Sequence, residues 1–532
     1  MKKGLLIHHG DLVTLDPAQP VAEAVAIRDG RIAAVGSEAD CRRALDGDYE
    51  TVDLRGAALL PGFIDTHLHP IGTIHYEMNA NLRGVRSVAE LQDRLRAIAA
   101  ELPPGQWLLG LDLDEQDMDE PRLPDRHDLD AACPDRPLVV LKHDGHQAIG
   151  NSRALAAAGL SAATPDPAGG VIDRESDGSP AGPCREAAVA RLMSAAPLPE
   201  FVALVAGARK TARRLASRGI TSVGAIFQVD EDGPAGAPGA FEMPAMAMLL
   251  DHFPINLYGL LLAHDPAPFE QARQSPLHSG VPGGHRIGGI KIIADGSFGS
   301  YTSFMREPFA DRPDTRGMMV LNDEELYRRM EFAHRAGLQI AVHVIGDAAA
   351  RRVVDLFDRL LAAQPRADHR HRLEHASVLD APLLADIARL GLVIATQPLF
   401  IHTEKKWLHR RLGAERAKRT YPFRSILDAG IRLAGASDSP VESTDVLQAI
   451  ACAVTREGFE PQQAVTAAEA VRMYTLDAAY AQFEDNVKGS LAAGKRADLV
   501  VLSENPLKVA PERIAAIRVL RTYSAGEVLY EA

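Results

Sequence analysis

Eight short apolar segments, spaced by long helix-forming stretches, constrain this chain more than any other feature. They are Phe63–His67, Ile220–Phe227, Ile255–Ala263, Ile287–Ala294, Leu338–Ile345, Arg372–Ala376, Leu392–Gln397 and Ile431–Ala436. Most are runs of aliphatic residues with few polar interruptions, as strands buried on both faces require. Helical stretches at 202–217, 323–336, 348–363 and 381–390 fill gaps between them. Crossovers of that length permit parallel pairing. The pattern predicts an α/β chain folded as a (β/α)8 TIM barrel.

Both ends of the chain are β-like and too short to bury a core alone. Gly4–His8, Asp11–Leu15, Ala22–Arg28, Arg31–Val35 and Thr51–Leu54 read as strands, with Asp29-Gly30 as a hairpin turn. Gly489–Leu502, Ile517–Arg521 and Ser524–Tyr530 match them at the other end. We therefore expect a small β-sandwich domain built from both termini, residues 1–57 with 488–532, around a barrel at 58–487. Residues 75–200 form a large insertion after barrel strand 1, expected over the active-site mouth. It holds a helix at Val88–Leu102, an acidic patch at Asp112–Glu120, a strand at Leu138–Asp144 and a Pro/Gly-rich span, Thr164–Pro183.

Composition narrows the partners. The 532 residues carry a net charge of −13 and show no dense Lys/Arg cluster, which argues against nucleic acid or an anionic membrane. Four scattered cysteines suit a reducing compartment. The apolar run after Lys2-Lys3 stops too early for a signal peptide, and no stretch approaches the roughly 18 residues of a membrane span. The expectation is a soluble, cytoplasmic protein acting on a small molecule.

Polar residues at the strand ends carry the chemistry. In Gly62-Phe63-Ile64-Asp65-Thr66-His67-Leu68-His69-Pro70 the two histidines fall on one side of a strand, where paired imidazoles can grip one metal ion. Lys291 interrupts an apolar strand, so it needs a salt bridge or must lose its proton. A neutral lysine amine can add CO2 and become an anionic carbamate. His343 and His375 stand towards the C-terminal ends of their strands, and Asp438 follows the last one. Each alone reads as a core histidine or a capping aspartate. Together they converge on one barrel axis.

The set resembles the amidohydrolase superfamily over nearly the whole chain: His-x-His on strand one, Lys on four, His on five, His on six, Asp on eight. Trp107-Leu108-Leu109-Gly110, Arg122-Leu123-Pro124, Asp144-Gly145-His146 with Asn151-Ser152, Asp295-Gly296-Ser297 and Arg372-Leu373-Glu374-His375-Ala376 are similar to its amidohydrolase-3 branch, which includes YtcJ-like proteins and N-substituted formamide deformylases. The resemblance implies one or two divalent ions, zinc from the imidazole-rich set, held by His67, His69, Lys291 (carboxylated and bridging), His343, His375 and Asp438. His67, His69 and Asp438 would hold the more buried ion, His343 and His375 the more exposed one. It further implies hydrolysis of an N-acyl or N-formyl amide, a C–N bond other than a peptide bond, with Asp438 as general base and then general acid. His146 is a candidate substrate contact or oxyanion stabiliser. Asp295 and Glu374 are expected beside the ligands, Asp347 as a helix cap and Asp112 at the surface. Relatives often carry an aromatic between His146 and Asn151. Here Gln147-Ala148-Ile149-Gly150 stands instead, so a changed substrate preference is expected if that loop lines the pocket. A deaminase or esterase on the same site, or a non-catalytic scaffold, are the alternatives, and family precedent leaves a homo-oligomer open.

Overall fold

The computed structural model describes residues 4–532 except 104, 116–117, 121, 143–144, 146, 168–169, 198, 231–236 and 264–266. The chain forms two compact units. One comprises Met1–Pro70, Ala212–Phe227 and Met246–Ala532, the other Ile71–Thr211 and Gln228–Ala245.

The first unit holds the barrel, an eight-stranded sheet in sequential order. Its strands are β1 (Phe63–Leu68), β2 (Ile220–Gln228), β3 (Asn256–Leu262), β4 (Arg286–Ile293), β5 (Gln339–Val344), β6 (Arg372–His375), β7 (Val393–Thr396) and β8 (Leu433–Gly435). Every residue of β2 and β3 is buried, the signature of strands covered on both faces. Side-chain and loop bonds join β8 to β1: Thr66 Oγ1 donates to Gly435 O (2.9 Å), Ser437 N to Asp65 Oδ1 (3.0 Å) and Asp438 N to His67 O (2.8 Å). The closure itself therefore delivers Asp438 to His67. Gly224 in β2 passes so near β1 that an added Cβ would lie 1.9 Å from Thr66 O, so a side chain cannot stand there.

Local signals set the helices between strands. Asp323–Arg335 begins where the Asn322 side chain accepts from Glu325 N. Ala381–Leu390 is capped by Asp380 and stops at Gly391, whose φ of 67° is the left-handed terminator glycine supplies. Asp347–Ala363 is preceded by Gly346, not capped by Asp347. The buried Asp347 carboxylate instead accepts from Arg306 N at 2.9 Å.

The same unit carries two further sheets. One orders Arg31–Gly36, Ala24–Arg28, Gly4–His8 and Tyr49–Asp53; the other orders Asp11–Leu12, Ala58–Pro61, Leu499–Leu502, Val519–Ser524 and Glu527–Glu531. One core joins residues from both ends of the chain, including Ile7, Val25, Ile32, Leu59, Leu499, Val501 and Tyr523. Asp29 (φ 49°) and Gly30 (φ 77°) form the expected tight turn, with both central residues left-handed.

In the second unit the expected helix and strand are present, as Val88–Ala99 and Leu138–Lys142, but two other expectations fail. Its six-stranded mixed sheet orders Gly170–Arg174, Pro180–Glu186, Gln147–Gly150, Leu138–Lys142, Leu108–Leu113 and Ala80–Asn81. Gln147–Gly150, read as part of a pocket loop, is an interior strand. It pairs antiparallel with Leu138–Lys142 and Pro180–Glu186, and Ala148 and Ile149 are fully buried in the cores of this unit. Asp112 is buried too, bound by Tyr76 Oη (2.9 Å) and Arg83 Nε (2.5 Å), and so is not a surface residue. Among the described residues no helix is long and apolar enough to cross a membrane, and all four cysteines are free and buried.

Candidate metal centre

The C-terminal ends of β1, β4, β5, β6 and β8, with the residues just beyond them, bring the six expected side chains together. His67 sits at the centre. Its Nδ1–H donates to Glu374 Oε2 at 2.5 Å, which leaves Nε2 as the lone-pair nitrogen. That nitrogen lies 3.2 Å from Lys291 Nζ and 3.3 Å from Asp438 Oδ1. His69, just beyond β1, places Nε2 3.4 Å from the same carboxylate oxygen. Donor atoms of His67, His69 and Asp438 all lie within 4.8 Å of one another.

His375 and His343 continue the ring cluster. Their centroids are 4.4 Å apart, and His375 is 5.2 Å from His67. His375 Nδ1–H donates to Gln397 Oε1 at 2.9 Å, and its ring stacks on Phe400. His343 Nε2–H donates to Gly296 O at 3.1 Å. His67, His375 and His343 thus each have one nitrogen fixed by a hydrogen bond, which settles the tautomer and leaves the other with its lone pair. Of these four side chains His69 is the open one, 36% exposed, against 16% for His343. His375 is only 2% exposed as a residue.

Backbone geometry aims two of the groups. His375 (φ 67°) and Asp438 (φ 59°) both adopt the left-handed region, which costs a non-glycine residue of order 1–3 kcal/mol.

The surroundings keep the imidazoles neutral. Burial, with the nearby Lys291 ammonium second, brings His67 down to about 4. Burial brings His375 to about 3 and holds His343 well below its ordinary value. Burial also lowers Lys291 to about 8. Burial alone would raise Asp438, but the His67, His69 and His375 rings outweigh it and hold the carboxyl well below the usual range. The result is neutral nitrogen donors beside one carboxylate.

Glu374 and Arg372 form the support beneath. Both are fully buried; Arg372 Nε donates to Glu374 Oε1 (2.7 Å), and Nη2 to Glu374 Oε2 and Thr66 O (both 2.9 Å). Asp295 accepts from the backbone N–H of Phe304 (2.8 Å), Ile345 (3.0 Å) and Gly346 (2.8 Å), pinning the loops after β4 and β5. Sequence reasoning missed Gln397 and gave Arg372 no role. Gln397 directly follows β7, so the strand-end rule that found the candidate ligands could have flagged it. His146 lies outside the described residues.

The donor set fits a divalent ion. Tetrahedral ligands at 2.0–2.2 Å must stand about 3.3–3.6 Å apart. The carboxylate–imidazole separations of 3.3 and 3.4 Å meet that requirement without rearrangement.

A family profile described as the amidohydrolase family matches residues 50–530. The chain is 30% identical to the putative amidohydrolase YtcJ of Bacillus subtilis (strain 168), covering 98% of this chain and 99% of that protein. It is 31% identical to the N-substituted formamide deformylase of Arthrobacter pascens, over 99% and 98%. A crystal structure of an uncharacterized metal-dependent hydrolase from Pyrococcus furiosus superposes with a TM-score of 0.74 at 27% identity, over 95% of this chain and all of the other. The chain belongs to the amidohydrolase family of metal-dependent hydrolases.

Proposed function

We propose that the protein cleaves a C–N bond in a small amide, of N-acyl or N-formyl type, with one or two divalent ions, zinc first among them. The observation that carries the reading is the convergence of His67, His69 and Asp438, with Lys291 3.2 Å from His67, at the closure of the barrel. His67, His69 and Asp438 would hold one ion; His343 and His375 would hold another, with Lys291 between. A divalent ion there supplies Lewis acidity, polarising a carbonyl and acidifying water at neutral pH.

The chain's own residues do the rest. Asp438 takes the proton of the attacking water at its carboxylate and returns it to the departing nitrogen, so that the amine leaves neutral. Glu374 holds His67 in the tautomer that presents Nε2. Gln397 does the same for His375. Burial makes the neutral Lys291 amine accessible near neutral pH, and that amine can add CO2 as a carbamate. The likeness to the formamide deformylase supports the amide class, and His146 stays in the proposal as a substrate contact.

The test is a panel of N-formyl and N-acyl amines run beside matched esters and aminated heterocycles, with wild type and Asp438→Asn. Amide turnover in wild type, lost by at least about a hundredfold in a folded Asp438→Asn, is the expected result. Full activity in that variant would remove Asp438 from the mechanism. Turnover of esters or heterocycles alone would move the protein to another chemistry on the same site.

A further inference from the structure

A second cluster of ligand-type side chains lies far along the chain from the barrel residues, on the outer four-stranded sheet. His8 ends the strand Gly4–His8, and successive strand residues normally face opposite sides. His9 breaks that alternation: its φ of 55° turns the backbone, and the two rings stand 4.0 Å apart at their centroids. Both then face Glu38, the first residue of the helix Glu38–Ala44. His8 Nδ1 is 3.3 Å and His9 Nε2 3.5 Å from Glu38 Oε2.

We infer that His8, His9 and Glu38 form a separate divalent-metal site, of a kind suited to Zn2+, that staples this sheet to its helix. The separations match those of the barrel cluster and the spacing a tetrahedral ion demands. The three donor atoms lie within 4.8 Å of one another, as in the barrel. Two further contacts organise the cluster. Asp53 Oδ2 faces His9 Nδ1 at 3.3 Å, orienting the ring from behind as carboxylates do for metal-bound histidines. Arg42 takes only the other carboxylate oxygen of Glu38, with Nε at 2.8 Å and Nη2 at 2.6 Å from Oε1, which leaves Oε2 aimed at the histidines. The His8 side chain is 10% exposed and that of His9 59%, so one face stays open to a water as fourth ligand. None of these residues takes part in the proposed hydrolysis.

Zinc titration of the untagged, chelator-stripped chain against a chromophoric competitor tests this. Wild type, Glu38→Gln and His9→Asn are compared; asparagine tolerates the left-handed backbone at an exposed position, so the last variant keeps the fold. The expected result is one fewer Zn2+ per chain in each variant, with hydrolytic activity at saturating zinc unchanged. Added zinc should also raise the Tm of wild type more than that of either variant. Equal zinc stoichiometry in all three proteins would overturn the site. Because the readout is a difference between proteins with intact barrel residues, failure of the hydrolase reading would leave it standing.

Discussion

Glu374 shows how much of the centre depends on side chains that would not touch an ion. Its carboxylate fixes His67 and neutralises the buried Arg372. Removing one partner of such a buried pair costs about 3–5 kcal/mol, so an alanine substitution would confuse folding with function. Glu374→Gln keeps an oxygen for His67 but removes the charge. We expect zinc affinity at the barrel site to fall about 10–100-fold with the fold retained. Competition titration against a chelator checks this, and unchanged affinity would deny Glu374 its orienting role. Lys291 gives a second residue-scale prediction. If its amine is carboxylated, apoprotein reloaded with zinc in CO2-free buffer recovers less activity than with bicarbonate. Equal recovery would exclude the carbamate.

At the scale of elements, a buried histidine chain ties a helix to the entry of β6. Ile340 N donates to His371 Nδ1 (3.0 Å), His371 Nε2–H faces His334 Nδ1 (2.9 Å), and His334 Nε2–H reaches Gln364 O (2.8 Å). His369 Nδ1 accepts from His371 N, and its Nε2–H donates to Leu390 O, both at 2.9 Å. Phe357 stacks on His371, and Arg366 donates to His334 O and Leu338 O. Every ring nitrogen is already a donor or an acceptor, so a further proton breaks a bond. Burial accordingly lowers all three imidazoles, His371 furthest, with His369 and Arg366 adding to it. The unfolded chain takes up these protons as pH falls through about 6.5, whereas the folded chain does not. Stability is therefore full above that pH and declines below it, by up to about 1.4 kcal/mol per pH unit for a histidine as buried as His371. Urea midpoints at pH 7.5 and 5.5 should show the decline. His334→Gln, whose amide can accept from His371 and donate to Gln364 O, should shallow it. A slope unaltered by that change would place the dependence elsewhere.

For the whole molecule, legibility followed the length and uniformity of the pattern. The barrel strands could be read because parallel strands are buried on both faces and so appear as continuous apolar runs. Lys291 and His343 stood out by interrupting such runs. Parts of the second unit resisted because its strands are mixed in direction and several carry glycine or proline. Ala148 and Ile149 look like loop residues until their neighbours are known. Asp112 and Asp347 misled for a related reason: each is sequestered by a partner distant in sequence, Arg83 for one and the Arg306 backbone for the other. The pairing of His8 with His9 was hidden by strand alternation, which a single left-handed residue undoes.

In the proposed hydrolysis the barrel residues work through a bound divalent ion. That dependence is tested most directly by measuring amide hydrolysis, together with metal content, before chelation, after chelation and after zinc is restored. At least one barrel ion per chain is expected, with activity lost with it and recovered on reloading, and neither retention nor recovery in Asp438→Asn. Full turnover by metal-free protein would contradict it.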